Sequence, residues 1–473
     1  MGHEAVGRQL TSAFEVLLTV VLVASPGTAR ADEIDRYIDN ARDLYRIPAV
    51  VVGVIRDGKV VDVRARGQSN VELGVRASPR HVFEIGSISK QFTAYAVLIL
   101  AEEGKLDLNA PIGNYVAGLP SAWQGVTLHR LLTHTSGLPD FENAFGYGVY
   151  RETPTDDEFV ARLAKLPIDF QPGAKWSYSN TNYWLLARAI ERVSGVPYAD
   201  FMRTRVFEPL GMASTRSALP RVVLPGRASG YEIIAGKLEN RDAVQPNTTR
   251  GLGDLVTTVA DMARWEREQR SPRLVSKASS QLARAPVKLN DGSDAPYGYG
   301  WQILPLLPKA TLSHSGGTPG FSTMYLRVPE RGLAIVVFSN AFAMPSVTSI
   351  ARYVAKHVDP ALATPSPKPI ADDDPASSER VSQVLRTQAD APSAWRAEWF
   401  TPEVWKEIKP YLSTIAERSR ALGPVKRVVL VGRESGGEER TVRYRATYDR
   451  LSRIVSLTLD KEGRISLKDF EDE

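Results

Sequence analysis

Apolar positions along the first hundred residues follow first a strand-like and then a helical pattern. Ala49 to Ile55 and Val60 to Arg66 are strand-like runs, and the Asp57-Gly58 pair between them supplies the positive φ of a tight hairpin turn. Beyond Ser87, apolar residues recur at helical spacing to about Glu103, and Gly104 is a natural helix end. The pattern predicts a hairpin followed by a long, largely apolar helix.

The pattern further along the chain predicts one sheet built from distant segments. Asp32 to Tyr45 is a predicted first helix, and Asp156 to Ser214 is predicted to be mainly helical. Gly251 to Trp265 is predicted as a loop entering a helix, Thr311 to Asn340 as two or three strands, and Ser346 to His357 as a closing helix. Strands at both ends with helices between them favour a mixed α/β (α+β) domain whose sheet carries a helical insertion.

The composition changes after residue 358. Asp359 to Ser378 contains five prolines among Asp, Ser and Ala, as linkers do. Glu379 to about Leu422 has a helical pattern, and Val425 to Phe470 has the pattern of a β-meander. We therefore predict a main domain over 32–358, a linker over 359–378 and a small α+β accessory domain over 379–473. A stabilising role for the accessory domain and a ligand- or peptide-binding role both stay open.

The first 31 residues resemble a secretory signal. Arg8 lies in a polar start, Val16 to Ala24 is an apolar core, and Ala29-Arg30-Ala31 fits an A-x-A cleavage site. This pattern predicts cleavage after Ala31 and a periplasmic or secreted protein. The alternative is an uncleaved N-terminal anchor, and only then would the protein contact a membrane.

Composition narrows the functional classes. The 473 residues carry a formal charge of +5, and the charges are interspersed, so we expect no nucleic-acid partner. The absence of cysteine excludes disulfides and thiol chemistry. The six histidines are scattered without a His-x-x-x-His spacing, so we expect neither a metal nor an organic cofactor.

Candidate chemistry starts at Ser87, where the predicted helix begins. Lys90 follows one turn later, so both side chains lie on one helix face. An amine that burial keeps neutral can take the proton of a serine hydroxyl, and a helix N-terminus points N–H groups at developing negative charge. Ser-x-x-Lys is thus a plausible nucleophile and base for acyl transfer. The alternative interpretation of the same tetrad is an N-cap serine followed by a solvated lysine.

Two later motifs add groups of the same chemistry. In Tyr178-Ser179-Asn180, a tyrosine with its pKa lowered by a nearby lysine can accept the serine proton, and Asn180 can accept from Lys90 while donating to a substrate amide. In His314-Ser315-Gly316-Gly317, the glycines let substrate backbone approach, and His314 offers a donor or a modest positive charge. The N–H groups of Gly317 and Ser87 are candidates for an oxyanion hole. A Ser-His-Asp triad through His314 is a rival arrangement, but no Gly-x-Ser-x-Gly surrounds Ser87.

In order and spacing, the three motifs resemble the serine β-lactamase and penicillin-binding-protein superfamily, over roughly Asp32 to Val358. Tyrosine in the second motif resembles the class C branch, which includes DD-peptidases and esterases. The resemblance implies a β-lactamase-like antiparallel sheet flanked by helices with a helical lobe. It implies that Ser87 is the acylated nucleophile and that Lys90 and Tyr178 share the acid and base work. Which of the two is the base stays open.

The same resemblance implies that Asn180 and the stretch His314, Ser315, Gly316 and Gly317 bind the substrate. His314 stands where β-lactamases of the family carry lysine, which counts against strong β-lactamase activity. We expect a serine hydrolase acting through an acyl-enzyme on a small ester, peptide or cell-wall-like substrate, as an esterase or a D-alanyl-D-alanine carboxypeptidase. A β-lactamase and a non-catalytic penicillin-binding or envelope scaffold protein are the alternatives.

Overall fold

Helices and strands alternate with irregular segments in the computed structural model, which describes residues 26–234, 237–409, 412–436, 439–449 and 451–472. The described α-helices, in chain order, are α1 Pro26–Tyr45, α2 Ser89–Glu102, α3 Ser121–Gln124, α4 Leu128–Leu132, α5 Phe141–Phe145, α6 Asp156–Leu163, α7 Asn180–Ser194, α8 Tyr198–Met202, α9 Glu208–Leu210, α10 Pro246–Thr249, α11 Val259–Arg270, α12 Lys277–Ala283, α13 Met344–Val358, α14 Pro375–Arg386, α15 Ala391–Ala394, α16 Pro402–Ile408 and α17 Leu412–Leu422. The described strands are β1 Ala49–Arg56, β2 Lys59–Asn70, β3 Val75–Arg76, β4 Phe83–Glu84, β5 Arg216–Ser217, β6 Tyr231–Ile234, β7 Lys237–Asn240, β8 Leu255–Thr257, β9 Val287–Lys288, β10 Asp294–Ala295, β11 Leu312–Thr318, β12 Phe321–Val328, β13 Leu333–Ser339, β14 Arg427–Gly436, β15 Glu439–Thr447, β16 Ser452–Leu459 and β17 Ile465–Asp472.

A six-stranded antiparallel sheet of order β11-β12-β13-β1-β2-β3 joins the two ends of the main domain. The predicted hairpin is confirmed, because Asp57 and Gly58 have φ of 51° and 74° between β1 and β2. Strand β1 also pairs with β13, from Val50 opposite Ser339 to Arg56 opposite Leu333. The sheet is therefore assembled from distant segments, as predicted, and β11 lies at its edge.

Helices cover both faces of this sheet. Along β1, Val51 and Ile55 point into a core shared with α2, α7 and α11, whereas Val50, Val52 and Val54 point into a core shared with α1 and α13. Alternate residues of a strand point to opposite faces, so a strand buried on both sides is an apolar run. Helix α2 is buried from Ser89 to Leu100, which places its first turn deep between the sheet and the helical lobe.

The helical insertion is less regular than the sequence predicts. Helix α6 ends at Leu163 and α7 begins only at Asn180, so the segment between them is not helical. Strand β8, which pairs with β4 and β5, lies in the stretch predicted as a loop before α11. A three-residue strand is too short to show an alternating pattern, which explains the miss.

The described residues of the C-terminal part include helices α14 to α17 and the four-stranded meander β14-β15-β16-β17. The predicted alternation is confirmed, because Val442, Tyr444, Ala446 and Tyr448 are all buried. Helix α14 begins at Pro375, inside the predicted linker, and Ile370 donates its N–H to the carbonyl of Leu430 at 3.1 Å. The domain boundaries at 358 and 378 stay a prediction.

This C-terminal unit packs against α1. Leu44 lies in its apolar core, and Arg453 donates to the hydroxyl of Tyr45 at 3.3 Å. Helix α1 covers the sheet face opposite α2, so the contact lies on the other side of the sheet from Ser87.

The predicted signal segment falls largely outside the described residues, which begin at Pro26 within α1. The apolar run from Val16 to Ala24 lies outside them entirely, and the predicted cleavage site at Ala31 lies within α1. Within the described ranges, none of the helices combines the length and apolar character needed to cross a membrane.

A buried ion pair ties α11 to strand β12 of the sheet. Glu266 accepts from Arg327 through both carboxylate oxygens, at 2.5 and 2.8 Å, and the hydroxyl of Tyr325 donates to it at 2.5 Å. The two charged side chains are only 2% and 1% exposed. Removing one partner of such a pair leaves an uncompensated buried charge, whose cost is large.

We expect Glu266→Ala to lower the free energy of unfolding by about 3–5 kcal/mol, because Arg327 loses its counter-charge. Urea denaturation followed by tryptophan fluorescence measures the loss. Glu330→Ala is the matched control, since Glu330 pairs with Lys309 at 3.0 Å with both side chains about half exposed, and should cost less than about 1 kcal/mol. Equal losses in the two variants would contradict the assignment.

Candidate active site

Ser87 lies in a single 3-10 turn, Gly86–Ile88, that leads into α2. The sequence places the helix start at Ser87, whereas the α-helix itself begins at Ser89. Gly86 has a φ of 48°, and a Cβ there would lie 2.6 Å from the backbone nitrogen of Gly317. The turn carrying Ser87 therefore lies directly against the edge strand β11, and only glycine fits at position 86.

Lys90 is completely buried in the first turn of α2 and makes three hydrogen bonds through Nζ. It contacts Ser87 Oγ at 3.1 Å, Asn180 Oδ1 at 2.8 Å and the carbonyl oxygen of Leu252 at 3.0 Å. A charged lysine has three N–H donors, and these three oxygens match them. The predicted proximity of Ser87, Lys90 and Asn180 is present in the structure.

Burial changes the charge of Lys90. The loss of hydration lowers its pKa to about 7, while the negative charges of Asp140 and Glu142 act in the opposite direction. Near neutral pH, a large fraction of Lys90 is therefore the free amine. Such an amine can accept a proton from the hydroxyl that it contacts.

Asn180 begins α7 and connects Lys90 to an acidic segment. Its side-chain Nδ2 donates to Glu142 Oε2 at 3.1 Å and to the hydroxyl of Tyr150 at 3.3 Å. Its backbone N–H donates to Asp140 Oδ1 at 3.1 Å. The predicted hydrogen bond from Lys90 to the Asn180 side-chain oxygen is present. The Asn180 NH2 group, which we expected to donate to a substrate, already has two partners inside the protein.

Tyr178 lies beside Lys90, with its ring centroid 4.8 Å from Lys90 Nζ. The expectation that its pKa is lowered is wrong. Burial raises the pKa of Tyr178 well above its usual value, although the side chain of Ser87 acts in the opposite direction. Nearby Asp140 and Glu142 also oppose the phenolate. Tyr178 is therefore a neutral phenol that can give or relay a proton.

His314 lies in β11 and is 1% exposed. Its Nδ1 donates to the carbonyl oxygen of Ser315 at 2.6 Å, and its Nε2 accepts from the hydroxyl of Tyr297 at 2.8 Å. Burial, with the charge of Lys90, lowers the pKa of His314 to about 3. The expected positive charge is therefore wrong, and with both nitrogens engaged the ring is not placed to act as the base of a triad.

The rest of the third motif runs along the sheet edge beside Ser87. A Cβ on Gly316 would lie 1.9 Å from the carbonyl oxygen of Ile85, so the close approach of the two backbones requires glycine there. Ser315 and Gly317 are partly exposed on this strand. The backbone of Gly317 lies beside that of Gly86, which brings the predicted pair of oxyanion donors, the N–H groups of Ser87 and Gly317, into one region.

Several residues of the site were not assigned from the sequence. The Leu252 carbonyl lies in a Gly-Leu-Gly-Asp-Leu stretch and Tyr297 in a Tyr-Gly-Tyr-Gly-Trp stretch, and both stretches are compositionally unusual. Asp140, Glu142 and Tyr150 come from an ordinary segment with no pattern of its own. Their role depends on tertiary contacts with α7, which no local pattern encodes.

Two known proteins with similar sequences are named as a penicillin-binding protein and a D-aminopeptidase. The chain is 34% identical to penicillin-binding protein 4* of Bacillus subtilis over 276 residues, which are 55% of this chain and 60% of that protein. It is 29% identical to a D-aminopeptidase of Gluconobacter oxydans over 310 residues, 64% of this chain and 57% of that protein. The matches thus span less than two thirds of these relatives.

Solved structures share the fold at lower identity. The octameric penicillin-binding protein homologue from Pyrococcus abyssi superposes with a TM-score of 0.64 at 24% identity, covering 93% of this chain and 95% of that one. The D-amino acid amidase from Ochrobactrum anthropi SV3, in a complex with L-phenylalanine, superposes with a TM-score of 0.61 at 23% identity, covering 70% of this chain and all of that one. The predicted fold class is confirmed.

The model of the family described as Beta-lactamase matches residues 34–359, which is most of the chain. The match includes all three motifs, and it confirms the resemblance that their order and spacing carry. The protein therefore belongs to the beta-lactamase family.

Proposed function

We propose that the protein is a serine hydrolase that works through an acyl-enzyme on Ser87. The observation that carries the proposal is the 3.1 Å contact between Ser87 Oγ and Lys90 Nζ, whose burial lowers the pKa of the amine to about 7. A serine hydroxyl becomes a useful nucleophile only when a base takes its proton, and the contact and lowered pKa of Lys90 support it as that base. The family includes proteins named as hydrolases, which supports this reading.

The reaction then has two balanced steps. Lys90 takes the proton of Ser87 as Oγ attacks the substrate carbonyl, and the N–H groups of Ser87 and Gly317 stabilise the oxyanion. The tetrahedral intermediate expels an amine or alcohol, which receives a proton through Tyr178, a neutral phenol beside Lys90. Water then attacks the acyl carbon and passes its proton to the Lys90–Tyr178 pair. The bond between that carbon and Ser87 Oγ breaks, Oγ takes the proton back, and the carboxylic acid is released. The raised pKa of Tyr178 favours Lys90 over a phenolate as the base.

Two side chains near the site, His314 and Arg241, bear on the choice of substrate. His314, which stands where β-lactamases of the family carry lysine, is neutral and engaged by Tyr297. Arg241, near the end of β11, is paired with Glu84, which also accepts from Thr318 at 3.1 Å. Neither side chain offers an unpaired positive charge to a substrate carboxylate. We therefore favour esters and amides over D-alanyl-D-alanine carboxypeptidase substrates and β-lactams, both of which carry that carboxylate.

The names of the relatives favour substrates with D-residues. One relative is called a D-aminopeptidase and one structural neighbour a D-amino acid amidase. An amide or ester of a D-amino acid fits both these names and the neutral His314. We also propose that the N-terminal segment is a cleaved signal peptide and that the protein acts in the periplasm or outside the cell.

Ser87→Ala should abolish covalent labelling by a fluorophosphonate probe, because the variant lacks the nucleophile. Mass spectrometry of the intact protein and of its peptides measures the adduct. Ser89→Ala is the control: Ser89 lies two residues away but is buried, whereas Ser87 is partly exposed, and Ser89 Oγ accepts from the Leu255 N–H at 3.3 Å. Undiminished labelling of the Ser87 variant would rule Ser87 out as the nucleophile. A wild-type protein that is never labelled would support the non-catalytic scaffold instead.

A matched pair of substrates tests the choice between carboxypeptidase and amidase. An acylated D-alanyl-D-alanine peptide and its C-terminal carboxamide differ only in the terminal charge. Since a charge-assisted hydrogen bond is worth about 1.5–3 kcal/mol, an enzyme with a carboxylate-binding cation should prefer the free acid by roughly 10- to 100-fold. We expect no such preference in kcat/KM. A tenfold or larger preference for the free acid would contradict the proposed substrate class.

A further inference from the structure

Glu142 lies just behind the catalytic constellation and contacts it through Asn180. Glu142 Oε2 accepts from Asn180 Nδ2 at 3.1 Å, and it also accepts from the hydroxyl of Tyr150. The segment is fixed by its neighbour Asp140, whose Oδ1 accepts from the backbone N–H groups of Glu142 at 3.2 Å and Asn180 at 3.1 Å. The carboxylate is therefore held at one defined end of the Asn180 amide.

The two ends of an asparagine side chain have opposite hydrogen-bonding character. The NH2 group only donates and the carbonyl oxygen only accepts, while an ionised carboxylate accepts only. Glu142 therefore selects the NH2 end of Asn180, and the oxygen must face the other way, toward Lys90 Nζ at 2.8 Å. With the amide reversed, Lys90 would face two hydrogens and lose an acceptor.

This orientation decides where the lone pair of Lys90 points. The free amine has two N–H donors and one lone pair. If the oxygens of Asn180 and Leu252 accept the two hydrogens, at 2.8 and 3.0 Å, the lone pair faces the third neighbour, Ser87 Oγ. A base must point its lone pair at the proton that it abstracts.

We infer that Glu142 is a positioning residue for the acyl transfer, holding Asn180 so that the free amine of Lys90 faces Ser87. The inference rests on the proposed function, because it assigns to Glu142 the geometry of the base in that reaction. The hydrogen bonds of the Glu142 carboxylate go to Asn180 and Tyr150 and not to Ser87, so its effect passes through Asn180.

Glu142 also contributes negative charge near Lys90. The titratable or charged groups around the amine are these: Asp140 before α5 and Glu142 within it, Tyr178 before α7 and Tyr183 within it, His134 after α4, His314 on β11, and Tyr147 and Tyr150 after α5. Burial lowers the pKa of both histidines below their usual value and raises the pKa of the tyrosines above theirs, so these groups are neutral at pH 6–8. Removing the Glu142 charge takes away a partner that favours the ammonium form. The pKa of Lys90 should then fall further.

The test is the rate of fluorophosphonate labelling of Ser87 between pH 5 and 9, in the full chain. The wild-type rate should rise with pH through about 7, as Lys90 loses its proton. In Glu142→Gln, the midpoint should move to lower pH by roughly one pH unit, because an acidic neighbour is gone. The matched control is Glu152→Gln, which removes a half-exposed carboxylate paired with Arg162 and should leave the profile unchanged.

A second variant separates position from charge. Glu142→Asp keeps the charge but shortens the side chain, so its contact with Asn180 is lost. We expect an unchanged midpoint and a plateau rate lower by roughly 10- to 100-fold, as for a misplaced catalytic group. If Glu142→Gln fails to fold, the plateau rate of Glu142→Asp is by itself the test of the inference.

An unshifted midpoint in folded Glu142→Gln, or a wild-type plateau rate in Glu142→Asp, would overturn the inference. Wild-type protein that is not labelled at Ser87 at any pH would instead overturn the proposed function, so the two failures are distinct.

Discussion

Burial of the Lys90 amine between three oxygen acceptors is the constraint on which the rest of the site depends. Burying a charged amine away from water costs free energy, unless the amine loses its charge or is surrounded by acceptors. Here burial lowers the pKa of Lys90, and three oxygens accept from its amine. The acceptors come from three separate places: Ser87 from the turn before α2, Asn180 from the start of α7, and the Leu252 carbonyl from the loop before β8. If any one of these segments moved away, Lys90 would lose one of its three hydrogen-bond acceptors.

The same constraint explains why glycine recurs around the site. Gly86 and Gly316 allow the turn carrying Ser87 and strand β11 to approach until backbone atoms touch. Gly251 begins the loop whose Leu252 carbonyl meets Lys90, and it is fixed in turn by Thr93 of α2, whose hydroxyl donates to its carbonyl at 2.6 Å. The helix that presents Lys90 thus also holds the loop that accepts from it. The C-terminal unit contacts α1, on the other face of the sheet from this packing.

Under the proposed function, neither His314 nor Arg241 offers an unpaired positive charge to a substrate carboxylate. His314 is buried, neutral and held by Tyr297, and Arg241 is paired with Glu84. The proposal therefore separates the groups that carry out acyl transfer from the recognition of a carboxylate. This is why family membership does not by itself imply action on β-lactams.

The sequence predicts the fold and the identities at the centre of the site well, and their charges poorly. Hairpin β1–β2, strands β11 to β13 and the buried alternation of β15 follow from local periodicity and turn residues. Ser87, Lys90 and Asn180 are found through spacing within motifs, and the structure brings them together. The pKa of Tyr178 and the neutrality of His314 depend on how completely each side chain is buried, and Glu142 is brought to Asn180 by tertiary packing. Neither the degree of burial nor the tertiary packing can be predicted from a local stretch of sequence.

The central claim is that Lys90 is substantially unprotonated at neutral pH. NMR of protein labelled with 13C at the ε carbon of lysine, with the Lys90 signal assigned by its loss in Lys90→Arg, measures this directly. The account predicts a titration midpoint near 7 for that signal. A midpoint near the ordinary lysine value of about 10.4 would contradict it, because the amine beside Ser87 would then be an ammonium ion throughout the working range.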